Sequence, residues 1–353
     1  MSSNLKNKNK MYEFEKFAII AVLVLVLTIT LIVVFSVTGD SERDGTSSGN
    51  SKPVIDVTDP EEDGEESNNS SDVTSTPQNV GEKIDFQMLS VSNDKVSEGE
   101  LLLVNQDHEF KTDIDEFLVN VYSKKVAANK NFVLSTTSLE LRQETIDALF
   151  SMLDGFYKDT RVDLSTMMLS KAYVSVAEQQ SEYDADATTA DRSELPYMQA
   201  GGQSEHQTGL AFNLVVYPPS NGTMGKGTYE WFVDNCWKYG FVLRYPEGEE
   251  DRTQAFAEST HFRYVGIPHS AYIHVNQWVL EDYLDYLIER TDENNRAKIK
   301  DANGKDYEIY AIKADEGANT QIPVPSDSSD WNYSISGTNC GYYVVSVFKA
   351  NND

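Results

Sequence analysis

The sequence is poor in positive charge, in histidine and in cysteine. Its 353 residues include 29 Lys and Arg against 57 Asp and Glu, a formal net charge of -28, with five His and two Cys. Nucleic acids and anionic lipid head groups bind through cationic surfaces, so this composition argues against both as partners. Two cysteines are too few for a disulfide framework. They leave open either one Cys236–Cys340 disulfide or a buried free thiol at Cys236.

A long apolar run lies near the amino terminus. Residues 17–37 contain no charged residue, and about 20 apolar residues are enough to cross a bilayer as a helix. A signal peptide is the alternative, but its apolar region is usually about 7–15 residues and ends at a small-residue cleavage site. Residues 1–16 carry four Lys and two Glu. By the positive-inside rule we predict a cytoplasmic N-terminus at 1–16, a single transmembrane helix at 17–37 and an extracytoplasmic remainder at the cell membrane.

Residues 38–84 contain no aromatic residue, and Ser, Asp, Glu, Asn, Gly, Thr and Pro dominate them. Such a segment cannot bury enough apolar surface to offset the entropy lost on ordering. We therefore predict a disordered acidic linker. An interaction tail is the alternative that the composition leaves open.

The rest of the chain predicts an α+β fold in which helices pack on a small antiparallel sheet. Apolar periodicity and turn residues predict helices over 139–157, 229–239 and 276–290, and strands over 132–135, 169–176, 211–217, 241–245 and 261–265. Beyond residue 295 the sequence changes to short β-rich segments separated by turns. We therefore assign a main domain to residues 85–293 and a small C-terminal β extension to residues 294–353.

Two short polar clusters hold the candidates for chemistry. His206 lies in the segment SEHQTGLAFN, and Glu258 and His261 lie in the segment ESTHFRY. A hydrolytic zinc site needs three protein ligands, an open position for water and a carboxylate base that does not bind the metal. His206, residue 213 and His261 suit the ligands and Glu258 suits the base. On spacing alone, structural histidines are the favoured alternative, and His108, His269 and His274 are interpreted as structural or surface residues.

The same clusters resemble the signature of the VanY-type D-alanyl-D-alanine carboxypeptidases of peptidase family M15. SEHQTGLA, followed two residues later by Asn213, resembles the family's S-x-H-x-x-G-x-A-x-D motif, and ESTHFRYVG at 258–266 resembles its E-x-W-H block. WFVDNCWKYGFVLRYP at 231–246 and LLLVN at 101–105 extend the resemblance in the family's order. It implies the D-Ala-D-Ala carboxypeptidase/hedgehog-like zinc peptidase fold. It also implies D,D- or L,D-carboxypeptidase activity on peptidoglycan stem peptides or their precursors.

The resemblance also implies roles for individual residues. Zinc would be the cofactor, with His206, Asn213 and His261 as its ligands and Glu258 as the catalytic base. For substrate binding the resemblance implies Ser204, Gln207 and Ser175.

Three positions depart from the family's pattern. Asn213 replaces Asp and lacks the negative charge that favours Zn²⁺, so we expect weaker metal binding. Val174 stands where the family has an Arg that binds substrate. Valine cannot donate a hydrogen bond to a C-terminal carboxylate or an oxyanion, and losing one such donor typically costs about 10²–10³-fold in rate. Thr260 replaces a Trp. The sequence leaves open whether Arg192 or Arg244 supplies the positive charge that is missing at position 174.

The sequence thus supports two hypotheses. One is a membrane-anchored zinc carboxypeptidase with an altered and impaired site. The other is a pseudo-enzyme that binds cell-wall peptide, or a partner protein, without cleaving it.

Overall fold

The structure is a computed structural model that describes residues 84–191 and 193–349, and these fall within one compact unit. The predicted membrane helix at 17–37, nearly all of the predicted linker and Arg192 lie outside the described residues. Among the helices that the described residues form, none is both long and apolar enough to cross a membrane.

The described chain contains α-helices and strands up to residue 290, and five strands follow one another after that residue. The helices are α1 (Val121–Ala127), α2 (Gln143–Thr160), α3 (Val176–Ala187), α4 (Trp231–Asn235), α5 (Glu250–Thr253), α6 (Ile267–Asn276) and α7 (Leu280–Arg290). The strands are β1 (Phe86–Ser92), β2 (Leu118–Asn120), β3 (Val133–Leu134), β4 (Glu140–Arg142), β5 (Met167–Lys171), β6 (Ala211–Val216), β7 (Phe241–Tyr245), β8 (Glu258–Tyr264), β9 (Ala297–Lys300), β10 (Asp306–Lys313), β11 (Asn319–Pro325), β12 (Trp331–Gly337) and β13 (Tyr342–Lys349).

A five-stranded sheet in the order β3-β5-β6-β8-β7 carries the polar clusters. Neighbours from β5 to β7 pair antiparallel, as the sequence predicts, whereas the short β3 pairs parallel with β5. Helix α2 covers one face of this sheet. Its buried residues Ile146, Leu149 and Leu153 recur at helical spacing and share a core with Phe212 and Leu214 of β6.

All three predicted helices differ in their bounds. The segment 229–239 is α-helical only over Trp231–Asn235, with 3-10 helix over Gly227–Glu230 before it and over Cys236–Tyr239 after it. The segment 139–157 begins as strand β4, because residues 140–142 pair with β2, and its helix starts only at Gln143. The segment 276–290 contains a helix end and a helix start. Helix α6 stops at Asn276, since Gln277 adopts the left-handed conformation with φ 57°, and α7 then begins at Leu280. Helix α3 was not predicted, because Gln179 is its one buried residue and it has no apolar stripe.

The C-terminal β segments form a four-stranded antiparallel sheet in the order β12-β13-β10-β9, while β11 pairs with β1. Tyr283 and Leu287 of α7 share a buried core with Ile309 of β10. His269 is buried where these layers meet, with Nδ1 2.7 Å from the Tyr283 hydroxyl and Nε2 3.2 Å from Ser346 Oγ. This histidine is structural, and the C-terminal sheet shares the core of the helices before it.

The two cysteines are free thiols. Cys236 is buried and Cys340 is partly buried. Burial raises the pKa of each thiol to about 12. Both side chains therefore remain protonated at neutral pH.

Candidate active site

A cavity of about 290 Å³ opens beside the five-stranded sheet and is lined by residues of both polar clusters. Ser204 and His206 line it from the turn before β6, Asn213 from β6, and Glu258 and His261 from β8. Strands β6 and β8 are antiparallel neighbours in which Asn213 lies opposite His261. Sheet pairing thus brings together residues that are 45 or more positions apart in the chain.

The turn that carries His206 is fixed by its own polar residues. It is a short 3-10 helix over Glu205–Thr208 that ends at Gly209 in the left-handed conformation, with φ 68°. Gln207 Oε1 accepts hydrogen bonds from the backbone N–H groups of Gly202 (2.9 Å) and Ser204 (3.3 Å). These bonds hold the loop in place and allow His206 to face the cavity.

The predicted substrate-binding residues fall in different places. Ser204 lines the cavity, whereas Gln207 and Ser175 do not belong to its lining. Gln207 makes the loop contacts described above. Ser175 caps α3, since its Oγ accepts from the Glu178 backbone N–H at 3.2 Å and donates to the Glu178 carboxylate at 2.8 Å. Gln207 and Ser175 therefore stabilise the local structure, and their role in substrate binding stays a prediction.

Two of the three positions that depart from the family's pattern meet at Glu258. The Asn213 side-chain amide donates to Glu258 Oε1 and also to Thr260 Oγ1, at 3.2 Å for the second contact. Thr260 Oγ1 in turn donates to the same Glu258 oxygen at 2.8 Å. Oε1 therefore accepts two hydrogen bonds, while Oε2 lies 3.9 Å from His261 Nδ1. With 41% of its side chain exposed, Glu258 still faces the cavity.

The two histidines are close neighbours. Their ring centroids are 4.8 Å apart, and His261 also contacts the Tyr245 ring with 4.7 Å between centroids. The pKa of His206 lies well below its ordinary value because of burial first, and then because of the nearby His261 and Lys171. His206 is therefore neutral at neutral pH, which is the state that binds a metal.

A buried carboxylate lies behind His261. Glu205 Oε2 lies 3.7 Å from His261 Nε2, and Glu205 is fully buried. Burial raises the pKa of Glu205, but the guanidinium groups of Arg244 and Arg263, each 2.8 Å away, outweigh it and hold the pKa below its ordinary value. The separation between Glu205 Oε2 and His261 Nε2 is too long for a hydrogen bond, and both atoms are buried without a hydrogen-bond partner among the described residues.

Arg244 does not replace the missing arginine. Its guanidinium is buried between Glu205 and Glu281, with distances of 2.8 and 2.5 Å to their carboxylate oxygens. It is absent from the lining of the cavity, as is Val174. The proposed substitute Arg192 lies outside the described residues.

The donor atoms fit a weakened metal site. His206 Nδ1 and Asn213 Oδ1 are buried, and neither has a hydrogen-bond partner among the described residues. Buried polar atoms without a partner are costly, so a ligand or cation in the cavity would stabilise them. The set has two imidazoles and an amide oxygen but no carboxylate. Within residues 84–191 and 193–349, no group of three or more His, Cys, Asp or Glu is placed to hold a metal ion.

Lys171 is a cavity residue that the sequence did not single out. It ends strand β5, lines the cavity and lies opposite Asn213 in the β5–β6 register. The sequence feature that could have indicated Lys171 is its position in the run SKAYVS, three residues before Val174, which departs from the family's pattern. The irregular pairing between Leu169 and Lys171 hides this position from a simple alternation pattern.

Comparisons with known proteins agree with this fold and with the family resemblance. Residues 138–267 match the family model of VanY, D-alanyl-D-alanine carboxypeptidase. The chain is 28% identical over 272 residues to a D-alanyl-D-alanine carboxypeptidase of Enterococcus faecium, covering 77% of this chain and 82% of the relative. It is 38% identical over 94 residues to the bifunctional D-Ala-D-Ala dipeptidase and D-Ala-D-Ala carboxypeptidase VanXYC of Enterococcus gallinarum, covering 25% and 50%.

A solved structure shares the fold. The vancomycin resistance D,D-dipeptidase VanXYg, in complex with a D-Ala-D-Ala phosphinate analog, aligns with a TM-score of 0.63 at 24% identity, covering 75% of this chain and 100% of that one. The predicted mixture of helix and sheet is confirmed, and so is the resemblance to the VanY family.

Proposed function

We propose that this VanY-type domain is a zinc carboxypeptidase that acts on D-alanyl ends of peptidoglycan stem peptides or their precursors, with a weakened metal site. The observation that carries this proposal is the convergence of His206, His261 and Glu258, with Asn213, on one cavity. In the comparisons, the relatives' names state the same reaction for those proteins.

Some of these residues would bind the metal, and Glu258 would accept the proton. His206, His261 and Asn213 would hold zinc, which acts as a Lewis acid and lowers the pKa of a bound water. Glu258 is the proton acceptor, and Oε2 is its available oxygen because Oε1 already accepts bonds from Asn213 and Thr260. The negative charge of Glu205 lies beside His261 on the buried side, with 3.7 Å between Oε2 and Nε2.

A non-catalytic binder of cell-wall peptide, or of a partner protein, is the second candidate. The observation that favours it is the pair of hydrogen bonds on Glu258 Oε1. These bonds occupy one oxygen of the carboxylate and restrict its movement, which hinders its approach to a water molecule. The absence of a carboxylate at position 213 acts in the same direction, because it lowers metal affinity.

One experiment separates the candidates. The full-length protein in detergent is assayed for zinc content, for binding of an acyl-D-Ala-D-Ala peptide and for release of D-Ala. Stoichiometric zinc with D-Ala release that Glu258→Gln abolishes supports the enzyme. Peptide binding without zinc and without D-Ala release supports the binder. Failure to bind the peptide would overturn both for this substrate class.

We further propose that residues 17–37 anchor the protein in the cell membrane as a single span, with the domain on the outer side. The support is the uncharged apolar run and the lysines that precede it. Protease added to intact cells should remove the domain, and a protected domain would contradict this orientation.

A further inference from the structure

Lys171 contributes a positive charge to the cavity. Of the cavity-lining side chains in the described residues, it is the only Lys or Arg. Its Nζ lies 2.7 Å from Glu182 Oε2 of α3, and the two side chains are 34% and 50% exposed. The lysine is therefore accessible from solvent and from the cavity at once.

The sheet fixes where this charge lies. Lys171 pairs with Asn213 across β5 and β6, and Asn213 is the residue that contacts Glu258. The irregular pairing after Leu169 places Lys171, rather than Ser170, opposite Asn213. A local bulge of this kind re-aims a side chain.

We propose that Lys171 binds the terminal carboxylate of the D-alanyl peptide, in place of the arginine that Val174 has replaced. This inference rests on the proposed function and names the residue that recognises the peptide end. Without a ligand, the Lys171 ammonium group pairs with Glu182, and the ligand carboxylate displaces Glu182 when it binds. An ammonium is a compact point charge, so it receives one carboxylate oxygen rather than the two that a guanidinium fork binds.

The exchange of carboxylates costs little. An exposed ion pair such as Lys171–Glu182 contributes little net stability, because water solvates both partners when they separate. Glu182 is half exposed and returns to solvent when displaced. Asp186, one turn further along α3, also lines the cavity. Its negative charge opposes the ligand carboxylate, so removing acidic charge from this helix should strengthen binding.

The test is calorimetric titration of the full-length protein in detergent, in a Glu258→Gln background that prevents turnover. The ligands are an acyl-D-Ala-D-Ala peptide with a free C-terminal carboxylate and the same peptide with a C-terminal amide. We expect the protein with Lys171 intact to bind the carboxylate peptide more tightly than the amide peptide. Lys171→Met should weaken binding of that form about 10- to 100-fold, the range for a charge-assisted hydrogen bond, and should remove the preference.

Two further variants and a control sharpen the result. Lys171→Arg should keep the preference for the carboxylate, and Glu182→Gln should tighten binding because the internal competitor is gone. Lys300→Met removes another exposed lysine–carboxylate pair, that of Lys300 with Asp306 outside the cavity lining, and should change nothing. An unchanged carboxylate preference in Lys171→Met would overturn the role of Lys171 and leave the proposed function standing. A protein with Lys171 intact that binds neither peptide would refute the proposed function itself.

Discussion

Asn213 donates its side-chain amide to the carboxylate of Glu258, across the adjacent strands β6 and β8. An aspartate at position 213 would instead place two carboxylates against each other, and a bound cation or a shared proton would relieve their repulsion. Thr260 donates to the same oxygen of Glu258. Two departures from the family's pattern therefore form one hydrogen-bond network that holds the base without a metal.

Asn213→Asp should restore metal affinity and reduce the stability of the metal-free protein. The new carboxylate adds a negative ligand, and we expect zinc affinity to rise by more than about tenfold, or about 1.4 kcal/mol. Without zinc, repulsion from Glu258 should lower the melting temperature. Competition with a chelating dye and thermal melts with and without zinc measure both effects. Asn332→Asp, at an exposed position on β12, is the control. Unchanged zinc affinity would mean that residue 213 does not face the metal.

Glu258→Gln should lower D-Ala release by about 10²–10⁴-fold, the usual contribution of a general base. Peptide binding should persist, because the amide keeps the size of the side chain. Glu247→Gln, at an exposed site after β7, is the matched control and should keep full activity. Equal rates in the two variants would exclude Glu258 as the base.

Glu205→Gln should destabilise the fold strongly. Glu205 is fully buried and compensates Arg244 and Arg263, each 2.8 Å away. Removing one partner of a buried ion pair typically costs about 3–5 kcal/mol, because the remaining charges lose their compensation. Urea unfolding of this variant beside Glu247→Gln measures the difference. A loss below about 1 kcal/mol would mean that the arginines find other partners.

Acid should destabilise the protein through His269. Burial lowers its pKa from 6.5 to about 3, so between these values the unfolded chain binds more protons than the folded one. The free energy of unfolding therefore falls as the pH drops below 6.5, by about 2 kcal/mol from this residue between pH 7 and pH 5. Urea unfolding at both pH values should show a smaller drop in His269→Gln than in the original protein. His206, whose pKa is also lowered by burial, adds to the drop in both. An equal drop in the two proteins would exclude His269 as its source.

The local elements of the domain were largely predictable. Strand 241–245 has the predicted bounds, and α2 follows its apolar stripe. Helix α3 was missed because it is polar, and the break at Gln277 was missed because a left-handed residue that is not glycine leaves little trace in composition. The alternative of a Cys236–Cys340 disulfide is wrong, because both cysteines are free thiols.

The sequence by itself determined the family resemblance, since motif spacing along two strands is a local property that residue order preserves. It also supplied His206, Asn213, Glu258 and His261 as a set. Only the tertiary structure decided what surrounds that set. The bond from Asn213 to Glu258 depends on strand register, the burial of Arg244 depends on packing against Glu281, and the place of Lys171 depends on an irregular strand pair. These contacts join residues far apart in the chain, and side-chain direction at such contacts is fixed by pairing and packing rather than by composition.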